Sequence, residues 1–142
     1  MKPYSIMIID DDEVDRYTLK RLLKSGGITI PVVEANDGQE AVQFFKNAEA
    51  NKINLGEGFP PVIVFLDINM PRMNGFEFLS EFKKLREESE SYQTVVFVMV
   101  TSSDNIKDKE QADQYDFVKG YINKMPSTAD ELLTHIGDYI PK

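Results

Sequence analysis

Leu66-Asp67-Ile68-Asn69-Met70-Pro71-Arg72-Met73-Asn74-Gly75 follows directly on an unbroken apolar run, Val62-Ile63-Val64-Phe65. Such a run reads as a strand buried on both faces. Asp67 therefore stands where that strand ends and the chain turns through Met70-Pro71 towards a helix. A second apolar run, Ile6-Met7-Ile8-Ile9, ends the same way, in Asp10-Asp11-Asp12. Two buried strands that both stop at acids gather negative charge along one edge of one sheet. Like charges there repel, and a divalent cation held by hard oxygen ligands relieves the repulsion. Magnesium at that edge is the expectation.

Working outward, buried-strand patterns alternate with amphipathic ones, as βα units on a parallel sheet do. The strand candidates are Ser5–Ile9, Val32–Ala35, Val62–Leu66, Val95–Val100 and Val118–Ile122. Five helices are expected. The first spans about Glu13 to Ser25 and stops at Gly26-Gly27, a C-terminal signal. The second starts near Gly38, and the third starts at Gly75 with Phe76, Leu79, Phe82 and Leu85 at helical spacing. The fourth covers Ile106–Tyr115. The last opens at Ser127 or Thr128, where two capping-box patterns overlap. Ala48–Pro61, with two Gly and two Pro, is long for a connection in an α/β unit and reads as a surface insertion, with a partner-contact loop as the alternative.

Five strands and five helices fit an α/β, doubly wound, five-stranded parallel sheet of order 2-1-3-4-5. In that order the first and third strands are neighbours, and ligands bind at the switch point outside their carboxyl ends. Asp10, Asp11 and Asp67 fall there. The topology and the acidic cluster come from different features, and they agree.

The 142 residues suit one domain, 1–142, with a real core. No linker to a second domain is visible. The formal net charge of -8 repels phosphate backbones, and no basic stripe carries interleaved aromatics, so nucleic acid is not an expected partner. No apolar stretch approaches the roughly 20 residues needed to span a bilayer, and no secretory signal is evident. Cysteine is absent, which removes disulfides, thiolate catalysis and zinc-thiolate sites. A cytoplasmic protein without membrane contact is the expectation.

Five segments together resemble the receiver domain of two-component response regulators, of the chemotaxis-regulator-like, flavodoxin-like type. They are Ile8-Ile9-Asp10-Asp11-Asp12, Ala35 through Ala41, Leu66 through Gly75, Val100-Thr101-Ser102 and Tyr121-Ile122-Asn123-Lys124. The length, the insertion before Pro61 and the Thr101-Ser102-Ser103 run further resemble stand-alone receivers paired with phytochrome-type sensors. The resemblance implies that Asp67 accepts a phosphoryl group from a phosphohistidine on a sensor histidine kinase or a histidine phosphotransfer protein. It implies that Asp11 touches magnesium directly and Asp10 through water, with Asp67 and the backbone carbonyl of Asn69 completing the protein ligands. Arg16 falls at the family's usual spacing after that acidic pair. Thr101 and Lys124 would meet the phosphoryl oxygens. Thr101 and Tyr121 would form the switch that reshapes the face built from the fourth helix, fifth strand and fifth helix, where a downstream protein or a second copy would dock. Such a protein is not an enzyme beyond its own phosphorylation and dephosphorylation.

Blander readings exist for each residue. Asp12 reads as a helix N-cap. Thr101 could end a strand, Lys124 could be a surface lysine and Tyr121 could be plain core. His135 reads as an exposed helix residue. Two competing functions are a phosphatase with an aspartyl-phosphate intermediate and a receiver-like scaffold that is never phosphorylated. The first family has a second Asp two residues after its nucleophile, where this chain has Asn69. The retained acids, Thr101 and Lys124 argue against the second. One departure stands out: the family has Lys followed directly by Pro, whereas Met125 separates Lys124 from Pro126. A cis Lys124-Met125 bond is the expectation there, with a rearranged trans loop as the alternative. Asn69 and Ser103 occupy the positions that tune phosphoryl lifetime in the family.

Overall fold

The computed structural model describes residues 4–102, 105–123 and 129–140. Its strands are β1 Ile6–Ile9, β2 Val32–Ala35, β3 Ile63–Asp67, β4 Val96–Thr101 and β5 Val118–Asn123. They form one sheet, parallel at every pairing, in the order β2-β1-β3-β4-β5. The helices are α1 Glu13–Ser25, α2 Gly38–Lys46, α3 Ala48–Leu55, α4 Gly75–Glu88, α5 Ile106–Asp113 and α6 Ala129–Ile136.

Alternation along the strands divides the core in two. Ile6, Ile8, Ile63 and Phe65 pack with Leu19 and Leu23 of α1 and Leu132 and Ile136 of α6. Met7, Ile9, Val64 and Leu66 face the other way, against Ala41 and Phe45 of α2, Phe78 and Phe82 of α4, and Ala112 of α5. Helices on both faces explain why β1 and β3 read as unbroken apolar runs rather than alternating ones. Asp12 caps α1 by accepting from the Val14 amide at 2.8 Å, as its place before the helix suggested.

Element bounds differ in detail from the sequence reading. β3, β4 and β5 each run one residue further than expected, so Asp67, Thr101 and Asn123 are the last ladder residues rather than the first loop residues. The last helix is described from Ala129, and its expected start at Ser127 or Thr128 lies outside the described residues.

The stretch Ala48–Pro61, expected as a surface insertion between elements, also differs. It contains the helix α3 and a short 3-10 turn, Gly56–Gly58. Asn47 joins two helices: its amide donates to the Gln43 carbonyl at 3.0 Å, and its own carbonyl accepts from the Asn51 amide at 3.1 Å. Ala48, Glu49, Ala50, Lys52 and Leu55 are good helix formers. No residue of α3 is fully buried, so the segment carries no apolar stripe to betray it. Phe59 anchors its far end, with its ring centroid 5.6 Å from that of Phe44 and 6.0 Å from that of Tyr92.

Candidate functional site

Parallel strands deliver their carboxyl ends to one edge, and the three central strands there end at polar groups. β1 leads into Asp10, β3 closes on Asp67 and β4 closes on Thr101. Asp10, Asp67 and Thr101 are buried, while Asp11 is exposed. One carboxylate oxygen from each of Asp10, Asp11 and Asp67 lies within 4.8 Å of the other two. Three carboxylates so close are costly unless positive charge joins them, and an all-oxygen donor set fits a hard divalent cation. The sequence expectation of an acidic cluster at the β1/β3 switch point is therefore met in space.

The backbone around the cluster is tied on each side. The Asp10 amide donates to the Ala35 carbonyl, and its Oδ1 accepts from the Asp12 amide at 2.9 Å. Arg16, itself buried, donates from Nη1 to the Asp10 carbonyl at 2.6 Å and from Nε to Glu34 at 3.1 Å. Thus the arginine that the family spacing singled out braces the turn carrying Asp10 and Asp11. Burial pushes the Glu34 carboxyl up, but hydrogen bonds and charge from Lys20 and Arg16 outweigh it. The net shift is below the ordinary value of 4.5.

Beyond Asp67 the chain makes a compact loop. The Gly75 amide donates to the Ile68 carbonyl at 2.8 Å, returning the chain beneath the strand end. Asn74 then opens α4 through a capping box with Glu77. Ile68 and Met70 are buried and Asn69 is exposed. On the far side, Thr101 pairs with Asn123 and Met99 with Tyr121. Strand alternation puts Thr101 and Tyr121 on the same face of the sheet, one step apart across β4 and β5. Tyr121 is half-buried against the α2/α4/α5 core, and the Lys109 ammonium of α5 sits 5.4 Å from its ring centroid. Lys124, Ser103 and the Lys124-Met125 bond lie outside the described residues. His135 is exposed, as its position on the last helix suggested.

Sequence reasoning passed over one pair. Arg72, in the loop after Asp67, forms an ion pair with the buried carboxylate of Asp37 at the start of α2. Asp37-Gly38 before a helix signals an N-cap, and Asp37 does cap α2. Nothing in the sequence links it to a residue 35 positions away.

The architecture is that of a doubly wound α/β domain with a carboxylate cluster at its switch point. The chain belongs to the response regulator receiver domain family, whose model matches residues 6–137. It is 31% identical over 131 residues, 92% of this chain, to the sensor histidine kinase CheAY of Helicobacter pylori, and spans 14% of that protein. It is 28% identical to protein PilG of Pseudomonas aeruginosa, covering 96% of this chain and 87% of PilG. It spans 42% of the Escherichia coli nitrate/nitrite response regulator NarL. Among solved structures, a response regulator receiver protein from Dyadobacter fermentans superposes with a TM-score of 0.76 at 26% identity, covering 98% of this chain and 99% of that one. The bacteriophytochrome response regulator AtBRR gives 0.75 at 25%, with 98% and 94% covered. The chain is thus a receiver domain of the two-component signalling family. Among the described residues no helix is long and apolar enough to cross a membrane.

Proposed function

We propose that this receiver domain is a phosphoryl-accepting switch in which Asp67 is the acceptor and Asp10, Asp11, Asp67 and the carbonyl of Asn69 hold Mg2+. The observation that carries the reading is the convergence of three carboxylates, within 4.8 Å of one another, at the β1/β3 switch point. A carboxylate oxygen of Asp67 attacks the phosphorus of a phosphohistidine on a sensor histidine kinase or a histidine phosphotransfer protein. The P–O bond of an acyl phosphate forms as the P–N bond to imidazole breaks. Bound magnesium would supply the positive charge that offsets the phosphoryl oxygens. Asp10 and Asp11 hold that charge in place, Arg16 braces their turn, and Thr101 and Lys124 offer a hydroxyl and an ammonium to the phosphoryl oxygens.

Output follows from the placement of Thr101 and Tyr121 on one face. Drawing Thr101 towards the phosphoryl group frees space beside Tyr121, and the α5–β5–α6 surface changes shape. Exposed Ile106 at the start of α5 lies on that surface, where a downstream protein or a second copy docks. The domain is a cytoplasmic signalling component and catalyses only its own phosphorylation and dephosphorylation.

Incubation with acetyl phosphate and Mg2+ should add one phosphoryl mass, which chelator prevents and Asp67→Asn abolishes. Equal, persistent labelling of Asp67→Asn would falsify the assignment. A beryllofluoride mimic should alter hydrogen exchange in 106–113 and 118–123. Changes confined to the neighbourhood of Asp67 would rule out the proposed output face.

A further inference from the structure

The loop from Ile68 to Gly75 is pinned at three places. Gly75 is held under the strand end by its bond to Ile68. Met73 packs over Gly38 so tightly that a Cβ there would come within 2.8 Å of the Met73 side chain. Between these pins the Met73 amide donates to the Pro71 carbonyl at 2.7 Å, a tight turn centred on Arg72. Among the described residues Arg72 is the only non-glycine with positive φ, at 67°. A long side chain in that region is strained and persists only where its surroundings hold it. Its guanidinium pairs with the carboxylate of Asp37, whose side chain is 6% exposed.

We propose that Arg72 is a positioning residue for the cation site: its ion pair with Asp37 latches the β3–α4 loop to the start of α2 and so fixes the segment carrying Asn69 beside the acidic cluster. The proposal rests on the reading of Asp10, Asp11, Asp67 and Asn69 as magnesium ligands. Asp37 divides its oxygens between two tasks. Oδ1 accepts from the Glu40 amide at 2.8 Å and caps α2, while Oδ2 takes the Arg72 guanidinium. Removing Arg72 therefore leaves the cap of α2 intact and frees only the loop. The Arg72 end of the pair is 66% exposed, so added salt screens the latch.

Two variants separate charge from backbone. Arg72→Gly accepts positive φ freely but lacks the charge, and Arg72→Lys restores charge at some backbone cost. Magnesium affinity is read by calorimetry, and amide exchange over 68–75 is read in metal-free protein. Arg72→Gly should bind Mg2+ about fivefold more weakly and exchange faster by a similar factor. Arg72→Lys should recover most of both, and at high salt the gap between wild type and Arg72→Gly should close. Wild-type affinity in Arg72→Gly overturns the positioning role, even if exchange quickens. A defect that lysine does not rescue and salt does not narrow also overturns it, because lost packing would then be the cause. Wild-type protein that takes up neither Mg2+ nor phosphoryl groups instead overturns the functional reading. The latch is then judged by exchange alone, where unchanged rates in Arg72→Gly refute it and faster rates support it.

Discussion

Gly75 lies so close beneath Asp67 that a Cβ on it would stand 2.5 Å from the Asp67 carbonyl oxygen and 3.0 Å from the Ile68 Cα. Backbone atoms on both sides leave nothing flexible to yield. Gly75→Ala must therefore move the strand end that presents Asp67, at a cost of about 1–3 kcal/mol. Denaturant unfolding should show that loss, and acetyl-phosphate labelling should fall with it. Gly137→Ala is the control: its added Cβ meets nothing within 4 Å, and it should stay within about 0.5 kcal/mol of wild type. Equal stability of the two variants would mean that the loop adapts.

Asp10 and Asp11 are adjacent but differently placed, and alanine should separate their roles. Asp10 is buried and accepts the Asp12 amide, so Asp10→Ala should lower stability by about 1–2 kcal/mol even without metal. Asp11 is exposed and makes no such bond among the described residues, so Asp11→Ala should not lower metal-free stability, while costing more magnesium affinity than Asp10→Ala. Magnesium titration of both variants decides, and a reversed order of affinities would reassign the direct ligand.

The clustered carboxylates repel one another without a cation. Asp67→Asn should therefore melt at a higher temperature than wild type in chelator. Millimolar Mg2+ should raise the wild-type midpoint and narrow or reverse that gap, because a ligand bound only by the folded state stabilises it. Melting curves of both proteins, with and without Mg2+, check this. A wild-type midpoint indifferent to Mg2+ would contradict it.

Glu34 is held below its ordinary pKa of 4.5 by Lys20 and Arg16, against the opposing pull of burial. A carboxyl depressed on folding contributes stability that is present above the unfolded value and is lost as pH falls through the folded value. Glu34→Gln should thus be less stable than wild type at neutral pH, by no more than about 1 kcal/mol given the exposure of the pair. The difference should shrink below pH 4.5. A pH series of urea midpoints tests it, and a gap that widens in acid would reverse the sign.

Tyr92 donates its buried hydroxyl to the Phe45 carbonyl, in the aromatic cluster that anchors Phe59. Burial also pushes the phenol up from its ordinary value of 10.0. Tyr92→Phe leaves that carbonyl without its donor at little change in packing, and should cost about 1–2 kcal/mol in chemical denaturation. No measurable loss would show that the carbonyl finds another partner.

Patterns along the chain sufficed for the sheet, because β1 and β3 are buried on both faces and leave unbroken apolar runs, and because the crossovers force a parallel order. They also sufficed to bring Asp10, Asp11 and Asp67 together in space, since each stands at or just beyond a strand end and the strand order brings those ends together. They did not suffice for α3, whose residues are all at least partly exposed and carry no periodic stripe. Nor did they reveal how the acceptor loop is held. The Arg72–Asp37 pair, Met73 over Gly38 and Gly75 under Asp67 each join residues that share no local pattern. Periodicity reports which face of an element is buried, whereas contacts between loops depend on where the folded sheet brings them, and only the tertiary structure decides that.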